Sequence, residues 1–182
     1  MPIYISLLRG VNLGAHNRMK MEDLRKSCAA LGFEQIKTYV QSGNIVFKAS
    51  KQSTSGLSEK IKEKILSDFK YTVPVITKTA DEIEKALHNN PFLKEKGIDA
   101  SKLHVSFLWE VPVLSALKKL ETLPAKPDLF RHVGSEIYLY CPNGYGTSKL
   151  SNNILERVLS VGVTTRNWKT VNNLYAMAQA YS

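Results

Sequence analysis

"TSGLSEKI" (residues 54–61) and "TSKLSNNI" (residues 147–154) stand 147 − 54 = 93 positions apart in a chain of 182 residues. The same shift, without a gap, carries Val40 onto Val133, Ser42 onto Ser135, Phe47 onto Tyr140, Leu24 onto Leu117 and Leu66 onto Leu159. Apolar positions agree in any two helices, but an ungapped run from helix through hairpin to helix asks for more than that. It reads as an internal repeat, and the repeat decides the fold.

Working outward, each copy spells the same order of elements. "IYISLL" (3–8) is a strand, and "MEDLRKSCAALGF" (21–33) sets Met21, Leu24, Cys28 and Leu31 at helical spacing with Gly32 as C-cap. "IKTYV" (36–40) and "NIVFK" (44–48) flank a Gln41-Ser42-Gly43 turn. "LSEKIKEKILSDF" (57–69) is a helix, "VPVIT" (73–77) a short strand whose Pro74 suits an edge, and "ADEIEKALHNN" (80–90) a helix stopped by Pro91. The order then recurs in "HVSFLW" (104–109), "VLSALKKLETL" (113–123), "LFRHV" (129–133), "EIYLY" (136–140), "SKLSNNILERVLS" (148–160), "VGVTT" (161–165) and "WKTVNNLYAMAQAY" (168–181). The expected class is α+β: a tandem duplication of a ferredoxin-like βαββαβ unit, each copy followed by an extra helix. The expected halves are 1–92 and 93–182, packed together. Strands such as "IYISLL" are apolar on both faces, so the second faces should be covered, by the other half or by a partner.

Hydrophobic content of 43% and charged content of 23% allow a buried core. No apolar stretch approaches a membrane span and the N-terminus lacks signal-peptide regions, so the expected setting is cytoplasmic, away from membranes. Cys28 and Cys141 show no paired ligand spacing and read as buried thiols. The net charge of +9 divides into 14 cations against 9 acids in residues 1–90 and 11 against 7 in 91–182. Charge spread in this way favours nucleic acid or phosphorylated ligands only modestly.

The repeat also exposes an asymmetry. The first strands align at a shift of 101 and the following helices at 93, so the first copy carries 101 − 93 = 8 extra residues within "LLRGVNLGAHNRMK" (7–20). Excess loop on a rigid scaffold is where binding groups collect. Arg9, Gly10, Asn12 and Gly14 are therefore candidates: arginine for a phosphate or carboxylate, glycines for close backbone approach, asparagine for amide or base edges. No Walker or dinucleotide fingerprint is present. The expected topology brings Gln41, Ser42 and Asn44 to the same edge, although Ser-Gly-Asn is also an ordinary turn. In the second copy, "NGYGTSKL" (143–150) places Lys149 in the first turn of a helix, where anions bind. "TTRNWK" (164–169) adds Arg166, Asn167 and Trp168 with Lys169, cations around a stacking ring. The plainer readings are a capped helix and a core-covering tryptophan. His16, His88, His104 and His132 are scattered, and no metal-ligand spacing or catalytic pairing is visible.

"LLRGVNLG", "KMEDLR", "YVQSGNIVF", "SKL" and "TTRNWKTVNNL" resemble, in order and over nearly the whole chain, the bacterial family catalogued as domain of unknown function 1697. The resemblance implies tandem α+β units and no transferable activity. It marks Arg9, Gly10, Asn12, Gly14, Gln41, Ser42, Gly43, Asn44, Lys149, Thr165, Arg166, Asn167 and Trp168 as recurring family letters. Three functions stay open. The leading one is a binding module for an anionic ligand: a nucleotide, a phosphorylated small molecule or RNA. "SGNIVF" lacks the exposed aromatics of an RNA-recognition strand, which counts against RNA. The others are an enzyme acting on an anionic substrate between the two loop clusters and a protein-interaction or assembly module, a homo-oligomer included. No cofactor can be named.

Overall fold

The computed structural model describes residues 1–181. Its elements run β1 (Ile3–Leu8), α1 (Met21–Ala29), β2 (Glu34–Tyr39), β3 (Asn44–Lys48), α2 (Thr54–Phe69), β4 (Val75–Thr79) and α3 (Ala80–His88), then β5 (Leu103–Leu108), α4 (Leu114–Glu121), β6 (Leu129–Val133), β7 (Glu136–Tyr140), α5 (Asn152–Leu159), β8 (Val163–Asn167) and α6 (Trp168–Gln179). The chain divides into two units, one of Met1–Glu84 with the chain from Asn173 onward, the other of Lys85–Asn172. Each holds a four-stranded antiparallel sheet, ordered β2-β3-β1-β4 in the first and β6-β7-β5-β8 in the second. The element order and the strand order repeat, as a duplicated unit requires.

The ungapped shift of 93 does not survive. Ile3 pairs with Lys48, and its counterpart Leu103 with Tyr140, so β3 and β7 correspond at 140 − 48 = 92. Tyr140 therefore matches Lys48, not Phe47. One residue of slip moves a strand's side chains to the opposite face. Phe47 lies in the core under the helices, whereas the Tyr140 ring meets Phe92 at 6.2 Å on the other side. Val40 lies in the turn between β2 and β3 and does not match Val133, which is the last residue of β6. The letters "TSGLS" and "TSKLS" also sit in different structure, the first inside α2 and the second before α5.

Structure repeats where letters do not. The Ser6 and Thr77 hydroxyls meet at 2.7 Å between β1 and β4, and the Ser106 and Thr165 hydroxyls meet at 2.7 Å between β5 and β8. Each pair is completed from the helix above it. Ser58 donates to Thr77 at 3.0 Å, and Thr165 donates to Asn152 Oδ1 at 2.6 Å. Buried hydroxyls need such partners, since each left alone costs about 1–3 kcal/mol.

One face of the first sheet packs Tyr4, Leu8, Ile45 and Phe47 against Leu24 of α1 and Leu57, Ile61 and Ile65 of α2. Leu24 is fully buried, so Leu24→Ala should cost about 2–5 kcal/mol. The second face is also buried, at Ile5, Leu7 and Val46. Its cover includes the chain after Asn173: Asn173 donates to the Tyr39 hydroxyl, and the Tyr181 hydroxyl donates to the Gln35 carbonyl. The second unit packs Leu108, Ile137 and Leu139 against Leu120, Leu155 and Leu159. On its other face Tyr138 donates to the Ala86 carbonyl at 2.7 Å, and Arg131 stands 4.8 Å over the Phe92 ring while ion-pairing with Glu95 at 3.0 Å. Among the described residues, no helix is long and apolar enough to cross a membrane.

Helix ends follow local chemistry. Thr79 and Glu82 form a reciprocal capping box at α3: the Thr79 Oγ1 accepts from the Glu82 amide at 3.1 Å and the Glu82 carboxylate accepts from the Thr79 amide at 2.8 Å. Ser53 caps α2 by accepting from the Gly56 amide at 3.1 Å. α5 begins at Asn152, not at Ser148, because the Tyr145 hydroxyl accepts the Asn152 amide at 3.2 Å and takes the capping place.

Candidate functional site

The first unit joins its two candidate loops. The connection between β1 and α1 spans residues 9–20, and its counterpart spans 109–113, so the excess is 12 against 5, or 7 residues. The hairpin between β2 and β3 turns over residues 40–43, where its counterpart needs only 134–135. Asn12 links both elaborations. Its amide donates to the Met19 carbonyl at 2.9 Å and the Gln41 carbonyl at 2.8 Å, while its Oδ1 accepts from the Met19 amide at 2.9 Å. Both donor hydrogens are used within the protein. Asn12, expected to read an amide or base edge, is a brace. Asn17 Nδ2 closes the loop onto the Gly10 carbonyl at 3.1 Å. Four positions in it take left-handed backbone: Gly10, Asn12, Gly14 and Asn17.

The other first-unit candidates are turned inward to differing degrees. Arg9 is half-buried, and its amide donates to the Pro74 carbonyl at 2.9 Å. Asn44 is fully buried and donates to the Tyr39 carbonyl and the Ser42 hydroxyl, both at 3.0 Å. The Gln41 side chain is exposed, as is Gly14. Ser42–Gly43–Asn44 thus performs turn chemistry, the plainer of the two readings the sequence offers.

The second unit forms a pocket of about 510 Å³ lined by Ala100, Ser101, Lys102, His104, Gly144, Tyr145, Asn167, Trp168 and Lys169. Pairing of β5 with β8 sets His104 opposite Asn167 and so brings the two walls together. His104 stacks on Tyr145 with ring centroids 5.0 Å apart and planes at 26°. Tyr145 is held by Asn152, donating to its Oδ1 at 3.3 Å. Asn167 Oδ1 accepts from the Thr170 amide at 2.8 Å and caps α6, and Asn167 lines the pocket. Burial lowers the pKa of His104 below its ordinary 6.5, against an opposing pull from the Lys102 backbone carbonyl. The His104 Nδ1 atom is buried without a well-aligned hydrogen-bond partner. A neutral imidazole face, a phenol and an indole with two lysines suit a flat, negatively charged ligand.

Lys149 and Arg166 are not among the lining residues. Lys149 is exposed and precedes α5, so it does not stand in a helical first turn. Arg166 lies opposite Val105, on the sheet face away from α5, and burial lowers its pKa to about 10. Lys78 holds the matching place opposite Ile5 in the first unit and is also buried, so a cation at this register is a repeated feature of the fold. Among the described residues no cluster of histidine, cysteine or carboxylate side chains could hold a metal. Cys28 and Cys141 are buried, and burial pushes their thiols up to about 12 and about 11, which leaves both inert.

Comparison with known proteins agrees with this architecture. The family described as a protein of unknown function, DUF1697, matches residues 1–138. The chain belongs to the DUF1697 family. A conserved bacterial protein of Streptococcus pneumoniae has a similar solved structure, with a TM-score of 0.73 at 23% identity, covering 97% of this chain and 98% of that one. At that identity the likeness concerns the fold. No curated protein matches the chain. In this DUF1697 member the stretch that matches the family ends within β7, so the Gly144–Tyr145 and Asn167–Lys169 walls of the pocket lie beyond it.

Sequence reading missed His104, Tyr145 and Lys102. His104 is one of four scattered histidines in the sequence. Its place beside Trp168 depends on strand pairing, which single-residue spacing does not carry. Tyr145 lies inside the glycine loop of residues 143–150, where an aromatic between two glycines is the one signal.

Proposed function

We propose that this chain is a binding protein for a small anionic ligand with a planar ring, of the nucleotide class. The observation that carries the reading is the second-unit pocket, which His104, Tyr145 and Trp168 line together with Lys102 and Lys169. A base or similar ring stacks on the indole or on the imidazole–phenol pair, and its phosphate faces the ammonium groups. Stacking of a base on an aromatic side chain contributes about 1–3 kcal/mol. The Asn167 amide supplies a donor for a ring edge. The same reading treats the two units as ferredoxin-like halves of a duplication and places the protein in the cytoplasm, in keeping with two buried free thiols.

Tryptophan fluorescence in a Trp109→Phe background reports on Trp168 alone, since the chain has two tryptophans. Titration with adenosine monophosphate, adenosine and inorganic phosphate separates ring from charge. The expected result is saturable quenching by the monophosphate, weaker for either fragment, and lost in His104→Ala. Absence of saturable binding by all three would overturn the reading.

A further inference from the structure

We infer that the two braced loops of the first unit form a docking surface for an acidic protein segment carrying an apolar anchor. The surface is independent of the second-unit pocket. It consists of the additions that the first unit has and the second lacks: the longer connection 9–20 and the longer hairpin turn 40–43. Both additions meet, because Asn12 donates to the Gln41 carbonyl at 2.8 Å. On either side of that contact an aliphatic side chain faces solvent, Leu13 at 64% and Val40 at 50% exposure. The shorter counterpart connection also exposes Val111 and Val113, so it is the cations around Leu13 that set this loop apart.

Cations predominate in the two segments. Residues 9–20 contain Arg9, Arg18, Lys20 and His16 and no carboxylate, and residues 39–44 contain no charge at all. Arg18, Lys20 and His16 are exposed. The nearest acids in sequence are Glu22, which pairs with Lys26 at 2.8 Å, and Asp23, half-buried beside Arg18 and Lys20. Exposed aliphatics among exposed cations complement an acidic segment with an apolar side chain of its own.

The loop is also set in advance. Asn12 makes three hydrogen bonds, Asn17 closes onto Gly10, and the His16 amide donates to the Leu13 carbonyl at 3.0 Å. A rigid presentation of Leu13 loses little entropy on association. The exposed side chains here are aliphatic, whereas recognition of single-stranded RNA relies on aromatic stacking, so a protein segment fits better than RNA.

The test selects random linear peptides displayed on phage against the full chain. Enriched peptides are resynthesised and titrated against wild type, Leu13→Ser, Arg18→Glu and, as a control exposed apolar position in the other unit, Leu93→Ser. Thermal melts verify that all remain folded, as exposed positions should. The expected peptides are acidic with an aliphatic or aromatic anchor. Leu13→Ser and Arg18→Glu should each weaken them about tenfold or more, and Leu93→Ser should not. Several results would overturn the inference: no enrichment, enrichment of neutral or basic peptides, or affinity indifferent to Leu13. So would loss in these variants of binding to single-stranded RNA or phosphatidylglycerol vesicles in place of acidic peptides.

Discussion

The Asn12 side chain reaches 29 residues along the chain to the Gln41 carbonyl at 2.8 Å, while holding both backbone polar groups of Met19. A residue in left-handed backbone, at φ 54°, thus ties the first loop to the hairpin. Asn12→Ala removes all three bonds and places alanine in a conformation it resists. The expected loss is about 1–3 kcal/mol in urea unfolding. Asn17→Ala loses one bond to Gly10 and also places alanine in left-handed backbone, so it should cost about 1–2 kcal/mol. A surface change at Asn12, within about 0.5 kcal/mol, would contradict the brace.

Gly43 and Gly14 separate conformation from space. Both have positive φ, 78° and 58°. A Cβ on Gly43 would lie 2.7 Å from Leu8 Cβ and 3.3 Å from Val11 Cβ, whereas one on Gly14 meets nothing within 4 Å. Gly14→Ala should therefore cost only the left-handed penalty, about 1–2 kcal/mol. Gly43→Ala adds overpacking of about 1–3 kcal/mol and should show the larger fall in melting temperature.

The repeated hydroxyl pairs are open to a double-mutant cycle. Thr77→Val strands Ser6 and removes the Ser58 bond, and Ser6→Ala strands Thr77 less because Ser58 remains. Each single change should destabilise by about 1–3 kcal/mol. The double change should cost less than their sum, because Ser6 no longer faces a lost partner and Ser58 keeps its bond to the Thr54 carbonyl. Strict additivity in equilibrium unfolding would show that the two side chains act separately.

His104 gives the pH dependence its sign. Burial sets its folded pKa below the ordinary 6.5, so the unfolded chain takes up the proton first as pH falls. Its contribution is whole above the unfolded pKa and is lost as pH drops through that value toward the folded one. His104→Phe keeps a ring on Tyr145 and removes the titration. Wild-type stability relative to this variant should decline as pH falls through the ordinary histidine value of 6.5. A constant difference would mean that the imidazole is not held neutral.

What the sequence determined by itself was the alternation of strand and helix, the recurrence of that order and the loops worth attention. These rest on periodicities of two and 3.6 residues, which each segment carries locally. Leu24, Cys28, Leu57, Ile61 and Ile65 are buried as their spacing requires. Tertiary structure decided the rest, since hydrogen-bond partners distant in sequence leave no local trace. Matching letters put Phe47 on Tyr140, but pairing to β1 and β5 matches Tyr140 with Lys48, because register follows backbone bonds and not side-chain likeness. A helix expected from Ser148 starts at Asn152 because the Tyr145 hydroxyl caps it. Asn12 reads as a binding group until the Gln41 and Met19 carbonyls claim its amide. His104 and Trp168, 64 residues apart, share a pocket because β5 pairs with β8 and sets His104 opposite Asn167.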